Sequence, residues 1–145
     1  MFDIDGTLAD CAHRIQYAQA KLWDEFHERA PEDPVIVNVA DLMIEMSLSG
    51  HKIILLTGRP ERYRHLTTEW LKKASLAKFY DELIMRPDDN YTPDGLMKVN
   101  ILEMRFGSQE DVLANVWFVV DDRESVVEAL RNYGLTVFQP AAGGY

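Results

Sequence analysis

At 145 residues the chain can bury a proper hydrophobic core, roughly two-thirds of its unfolded surface, and it reads as one domain over residues 1–145. Its 47% hydrophobic and 27% charged residues are those of a globular protein, and no apolar run approaches the ~20 residues of a membrane span. A net charge of −9 argues against a generally nucleic-acid-binding surface, while the single cysteine, Cys11, excludes an internal disulfide. With no charged-then-apolar leader ahead of the first strand, a reducing cytoplasmic setting is expected, and Cys11 is expected to be structural.

The chain opens Met1-Phe2-Asp3-Ile4-Asp5-Gly6-Thr7, two apolar residues running into paired carboxylates and a glycine. In a strand, Asp3 and Asp5 point the same way while Ile4 turns into the core. Gly6 and Thr7 break that strand, which leaves both acids at its carboxyl end, the edge where open α/β sheets bind substrates. Only two residues precede Asp3, fewer than a central strand usually has, so the start reads as short of a few residues or as cut from a longer chain.

Apolar residues at helical spacing, Ile15, Ala18, Leu22 and Phe26, predict a first helix over 13–29, ended by Pro31 and Pro34. A second is predicted from an Asn38 cap, with Val39, Leu42, Met43 and Met46 on one face and Gly50 past its end. Residues 52–56 form a short, continuously apolar, β-branched run, the pattern of a strand buried on both faces in a parallel sheet. It runs into a turn at Thr57-Gly58-Arg59, and Pro60 suits the first turn of a helix whose inner face is Tyr63, Leu66, Trp70, Leu71 and Ala74.

A weaker strand at 83–85 leads into a polar loop over 87–95, and a helix is predicted over 97–106 with its stop at Gly107. Residues 116–120, Val-Trp-Phe-Val-Val, read as the clearest central strand and run directly into Asp121-Asp122-Arg123. A helix with Val126, Val127, Leu130 and Tyr133 inward stops at Gly134, and 135–138 closes the sheet. Strand and helix alternate about five times, which predicts an α/β fold: a Rossmann-like three-layer α/β/α parallel sheet. Trp70, Trp117 and Tyr63 fall at apolar positions and are read as core, and His13, His27, His51 and His65, lacking ligand spacing, as surface.

In that architecture Asp3, Asp5, Thr57, Asp121 and Asp122 each fall at or just beyond the carboxyl end of a predicted strand, and Lys98 opens a helix on the same side. Carboxylates converging on one crevice cannot stay ionised without a cation, and hard oxygen donors with no His or Cys nearby select Mg²⁺ over zinc. The set also has the parts for phosphoryl transfer through a covalent intermediate. One carboxylate serves as nucleophile, a second as acid then base, and a hydroxyl and an ammonium hold the phosphoryl oxygens. An aspartate two places after the nucleophile suits a phosphomonoesterase, whose alkoxide leaving group must be protonated.

Asp3-Ile4-Asp5-Gly6-Thr7, Thr57-Gly58-Arg59, Lys98 and Asp121-Asp122 resemble the four ordered motifs of the haloacid dehalogenase (HAD) superfamily of phosphohydrolases. The resemblance implies Asp3 as the nucleophile and Asp5 as general acid and base, with the Asp5 main-chain carbonyl on Mg²⁺. It further implies Thr57 and Lys98 on the phosphoryl oxygens, and Asp122 on the metal with Asp121 in support. Further features are similar to the 3′-phosphatase domains of phage-type polynucleotide kinase/phosphatases. They are Arg14, the helix carrying Tyr63, Arg64, Thr67 and Trp70, Asp94 four before Lys98, Asp121-Asp122-Arg123 with Val126-Val127, and the closing Gly143-Gly144-Tyr145. That branch implies substrate-site roles for Arg14, Gly58, Arg59 and Asp94. The chain departs from it in two ways: it has no G-x-x-x-x-G-K-[ST] loop, so no kinase half is expected within these residues, and its loop around Arg59 is shorter.

The intervals between motifs hold about one helix, then a helix, a strand and a nine-residue loop, too little for a large cap. A capless or minimally capped site is open, which suits a polynucleotide end. Residues 51–80 carry seven Lys or Arg against two Glu, a local basic stretch beside it. The expected substrate is a 3′-phosphorylated nucleic acid end or a 3′-nucleotide. A 5′-nucleotidase acting on nucleoside monophosphates is the alternative, a non-catalytic interaction domain a third reading, and a homo-oligomer partner is a conceivable lid.

Overall fold

The computed structural model describes residues 1–141; the closing Gly143-Gly144-Tyr145 lies outside the described residues. The helices are α1 (Ile15–Gln19), α2 (Trp23–Glu28), α3 (Val37–Leu48), α4 (Arg64–Lys73), α5 (Asp94–Phe106), α6 (Gln109–Asn115) and α7 (Glu124–Tyr133). The strands are β1 (Ile54–Pro60), β2 (Glu82–Arg86), β3 (Val119–Val120) and β4 (Val137–Phe138). β1 pairs with β2 and β3 with β4, both in parallel, and Phe2 bridges Leu55 on one side and Val120 on the other, also in parallel. The amino-terminal segment is therefore the central line of five, ordered β2, β1, 1–5, β3, β4.

Main-chain bonds hold it there: Phe2 N–H donates to Ile54 O at 2.9 Å, and Asp3 N–H donates to Val120 O at 2.9 Å. Helices cover both faces. On one, Val39 and Met43 of α3 and Trp70 and Leu71 of α4 pack with Phe2, Ile4 and Leu55. On the other, Leu102 of α5, Val112 of α6 and Val126, Val127 and Leu130 of α7 pack with Leu56, Val119 and Val137. This is the parallel α/β architecture the alternating pattern predicts.

The expected boundaries move for local reasons. The helix expected over 13–29 is broken into α1 and α2 at Lys21, which takes a left-handed φ of 59°. A third small cluster of Cys11, Ala18 and Phe26 packs between the pieces. α3 begins before Asn38, with Ile36 as its cap residue. Pro60 ends β1 instead of opening a helix, and α5 starts at Asp94, inside the expected loop. The strand expected over 116–120 pairs only at Val119–Val120, because Val116 closes an unanticipated helix, α6, by donating its N–H to Val112 O at 2.9 Å. The signal for α6 was present as a capping box, Ser108 and Asp111 bonding reciprocally. The last strand likewise shrinks from 135–138 to Val137–Phe138, since Leu135 N–H is used to terminate α7. Gly134, at φ 108°, supplies the left-handed residue that ends α7.

Among the described residues no helix is long and apolar enough to cross a membrane.

Candidate active site

The carboxyl ends of the central lines open on one crevice of about 380 Å³, lined by Asp3 and Asp5 from the first segment, Thr57 and Gly58 from β1, and Asp121 after β3. Asp94 and Lys98, one turn apart on α5, face it from the side. The volume lies within the range that holds small ligands.

On the floor, Lys98 Nζ donates to Asp3 Oδ1 at 2.7 Å and to Asp121 Oδ2 at 2.6 Å. Carboxylate oxygens of Asp3, Asp121 and Asp122, all buried, lie within 4.8 Å of one another. Thr7 Oγ1 donates to Asp122 Oδ1 at 3.0 Å. Gly6 makes this approach possible. Its φ of 79° is left-handed, and a Cβ there would overlap the Asp122 carboxylate.

Three carboxylates share one ammonium, and the titration behaviour follows from that imbalance. Burial pushes Asp3 up to about 7, with Lys98 opposing and Asp121 and Asp122 adding to the rise. Burial and then Asp121 push Asp122 up to about 6. Lys98, which burial would depress, is held above its ordinary value by Asp121 and Asp3. A small set of buried, hard, anionic oxygens short of positive charge fits a divalent cation such as Mg²⁺ and does not suit a soft metal.

Asp5 lies in a second cluster immediately beside the first. Arg59 Nε donates to both Asp5 oxygens at 3.1 Å, Arg59 Nη2 donates to Oδ1 at 2.5 Å, and Arg14 Nη2 donates to Oδ1 as well. Behind them stands Asp33, fully buried at its side chain, accepting from Arg14 Nε at 2.7 Å and Nη2 at 2.5 Å and from Arg59 Nη2 at 3.2 Å. Burial would raise the Asp5 carboxyl, but the Arg59 and Arg14 guanidiniums outweigh it and hold the group well below the usual carboxylate range.

Arg14 stacks over Phe26 at 4.1 Å, Arg59 Nη1 donates to Thr67 Oγ1 at 3.3 Å, and Trp70 Nε1 donates to Asp33 O at 2.8 Å. Arg59, expected in a turn, is a buried residue of β1.

Asp94, expected in a solvated loop, is the first residue of α5 and accepts from both Arg86 and Arg123. Arg86 also donates to Asn90 O at 2.7 Å and Thr92 O at 2.8 Å, so it ties the loop after β2 to Asp94. A Cβ at Gly58 would stand 2.8 Å from Asp94 Oδ1, so glycine is what lets β1 pass this close to α5. Thr57 is buried beside the crevice, its Oγ1 accepting from Arg59 N at 3.2 Å.

The structure therefore brings together every residue the sequence singles out: Asp3, Lys98, Asp121 and Asp122 in one cluster, Asp5, Arg14 and Arg59 in the next, and Thr57, Gly58 and Asp94 on the wall. Sequence reasoning missed Asp33 and Arg86. Asp33 sits in Pro-Glu-Asp-Pro with no periodicity around it, and Arg86 ends an ordinary strand, so neither carries a local signal.

Aromatic and histidine expectations divide. Trp70 is core, but Tyr63 is half-buried and Trp117 is 68% exposed, its ring tilted at 38° against His51 at 4.9 Å. The register explains this, since Trp117 falls in the link between α6 and the short β3. His13, His51 and His65 are exposed, whereas His27, expected on the surface, is buried and lines the crevice.

The family model of the polynucleotide kinase PNKP phosphatase domain matches residues 1–145. Among solved structures, the chain is similar to one in the Pnkp1/Rnl/Hen1 RNA repair complex, with 31% identity and a TM-score of 0.77 over 99% of this chain and 42% of that one. A second structure of the Pnkp1/Rnl/Hen1 complex gives 31% identity and a TM-score of 0.77 over 99% of this chain and 46% of the other. This chain thus spans less than half the length of the repair-complex chains it matches. A hydrolase from Streptococcus pneumoniae TIGR4 shares the fold, with a TM-score of 0.62 at 15% identity over 97% of this chain and 91% of that one.

Proposed function

We propose, from the premise that the chain belongs to the polynucleotide kinase PNKP phosphatase-domain family, that this HAD phosphatase is Mg²⁺-dependent and removes 3′-phosphates from polynucleotide ends. The observation that carries the reading is the Asp3 carboxylate fixed by Lys98 at the floor of an open crevice, with a second carboxylate, Asp5, two residues away. We further take residues 1–145 to be one phosphatase domain.

In the first step an Asp3 oxygen attacks phosphorus while the bond to the 3′ oxygen breaks, and Lys98 and Thr57 hold the phosphoryl oxygens. The leaving oxygen takes a proton from Asp5. In the second step water attacks phosphorus of the aspartyl-phosphate, Asp5 takes its proton, and Asp3 is regenerated as inorganic phosphate leaves. The arginine pair keeps Asp5 in the ionised form that the second step uses, while weakening it as a base for as long as the pairing lasts. The first step needs Asp5 protonated, so the proposal includes release of Asp5 from Arg14 and Arg59 as substrate enters, with Asp5 taking up from solvent the proton it then delivers to the leaving oxygen.

Asp3 and Asp122 would hold the cation together with the Asp5 main-chain carbonyl, Asp121 supporting. Bound there, Mg²⁺ supplies positive charge against the phosphoryl oxygens and the crowded carboxylates. The excursion over residues 12–34 contributes Trp23, Phe26 and His27 to the crevice wall and is too short for a large cap, which supports a polymeric substrate. The likeness to chains from an RNA repair complex supports nucleic acid ends in particular.

The test is a side-by-side assay with Mg²⁺ on a 3′-phosphorylated oligonucleotide, 3′-dTMP and 5′-dTMP. The expected order places the oligonucleotide first and 5′-dTMP last. Preference for 5′-dTMP would replace the reading with a 5′-nucleotidase, and turnover of none would remove the phosphatase assignment.

A further inference from the structure

His27 is 7% exposed, lines the crevice that holds Asp3 and Asp5, and its buried Nδ1 has no hydrogen-bond partner. An unpaired buried nitrogen destabilises a fold, and phenylalanine would fill the same slot without that cost. The ring is held firmly all the same. Tyr63 stacks on it at 4.9 Å with a 27° interplanar angle, and Phe26 meets it edge-on at 5.2 Å. Burial lowers its pKa to about 4, so at neutral pH the ring is uncharged and able both to donate and to accept.

The same wall carries exposed aromatic surface. Trp23, 48% exposed, lines the crevice and is braced edge-on by Phe26 at 6.1 Å. Tyr91, 90% exposed, also lines the crevice, from the loop after β2 that Arg86 ties down. None of these residues is needed to handle a phosphoryl group, whose partners lie on the floor.

We propose that this wall is the subsite for the nucleoside bearing the phosphate: the His27 imidazole hydrogen-bonds its sugar, and Trp23 and Tyr91 flank its base. The chemistry matches the ligand. A sugar oxygen can bond the edge of the imidazole that lines the crevice, and every nucleobase presents a face that an exposed aromatic ring can stack on. The proposal rests on the phosphatase reading and names the part of the substrate that reading leaves unassigned.

The test compares kcat/KM for a nucleoside 3′-phosphate with kcat/KM for p-nitrophenyl phosphate, which has no sugar, in wild type, His27→Phe and Trp23→Ala. His27→Phe keeps the aromatic stack and removes the nitrogens. In each variant the ratio of nucleotide to p-nitrophenyl phosphate is expected to fall about five- to tenfold, carried by KM. Addition of the nucleoside 3′-phosphate to Asp3→Asn is expected to shift the His27 imidazole nitrogen resonances. Equal losses on both substrates, an unchanged ratio, or resonances unmoved by a nucleotide that binds would overturn the subsite while leaving the phosphatase standing. A wild type inactive on both substrates would overturn both.

Discussion

Two ionic clusters lie side by side at the head of the sheet, reached by aspartates only two residues apart, and they are built on opposite principles. Around Asp3, three buried carboxylates face one ammonium, and burial lifts the Asp3 carboxyl to about 7. Around Asp5, two carboxylates face two guanidiniums, and Asp5 is held well below its ordinary range. The second cluster neutralises itself. The first leaves a negative excess, and for that reason it is the proposed place for a cation and for chemistry.

The contrast can be broken at its centre by Asp3→Asn, which removes the carboxylate proposed as nucleophile. Turnover is expected to fall by on the order of 10⁴ or more in a steady-state assay, with the fold retained by circular dichroism. Undiminished turnover would reassign the nucleophile. Asp33→Asn attacks the other cluster by leaving two buried guanidiniums to one carboxylate. A loss of about 3–5 kcal/mol is expected in urea unfolding, and a loss under ~1 kcal/mol would show that the cluster does not depend on its silent member.

Mg²⁺ sharpens the comparison through pH. Without the cation, the raised carboxyls of Asp3 and Asp122 remain protonated in the folded chain while their unfolded counterparts ionise. Their contribution to stability is therefore lost as pH climbs from about 4 and is gone above about 7. A cation competes with those protons, so the rise in Tm on adding Mg²⁺ should be larger at pH 8 than at pH 5.5, by on the order of 2–4 kcal/mol in stability. A rise independent of pH would place the ion elsewhere.

The smallest expected effect is Gly6→Ala, which forces a side chain into a left-handed position against Asp122. About 1–2 kcal/mol of stability should be lost. The activity that remains should need more Mg²⁺ for half-saturation, whereas an unchanged Mg²⁺ requirement would detach Asp122 from the metal.

Asp3, Asp5 and Asp121 were legible because each follows an apolar run, and Lys98 because it sits near the start of a helix on the same side. Period-2 alternation predicts that Asp3 and Asp5 serve one ligand. They do border one crevice, yet each turns to a different set of partners, because Arg14 and Arg59 compete for Asp5 while Lys98 holds Asp3. His27 was misread as surface because a lone histidine on a short helix carries no pattern, and its burial depends on Tyr63, thirty-six positions away.

The sequence by itself determined the parallel α/β scaffold, the strand ends at which the acids gather and the family the chain belongs to. Those features are local, set by runs of apolar residues and by the residue types that follow them. Only the tertiary structure decided which charge faces which: that Asp33 backs Asp5, that Arg86 and Arg123 share Asp94, and that the floor is left short of positive charge. Ion pairing depends on distances across the fold, and residues separated by tens of positions carry no trace in sequence of having met.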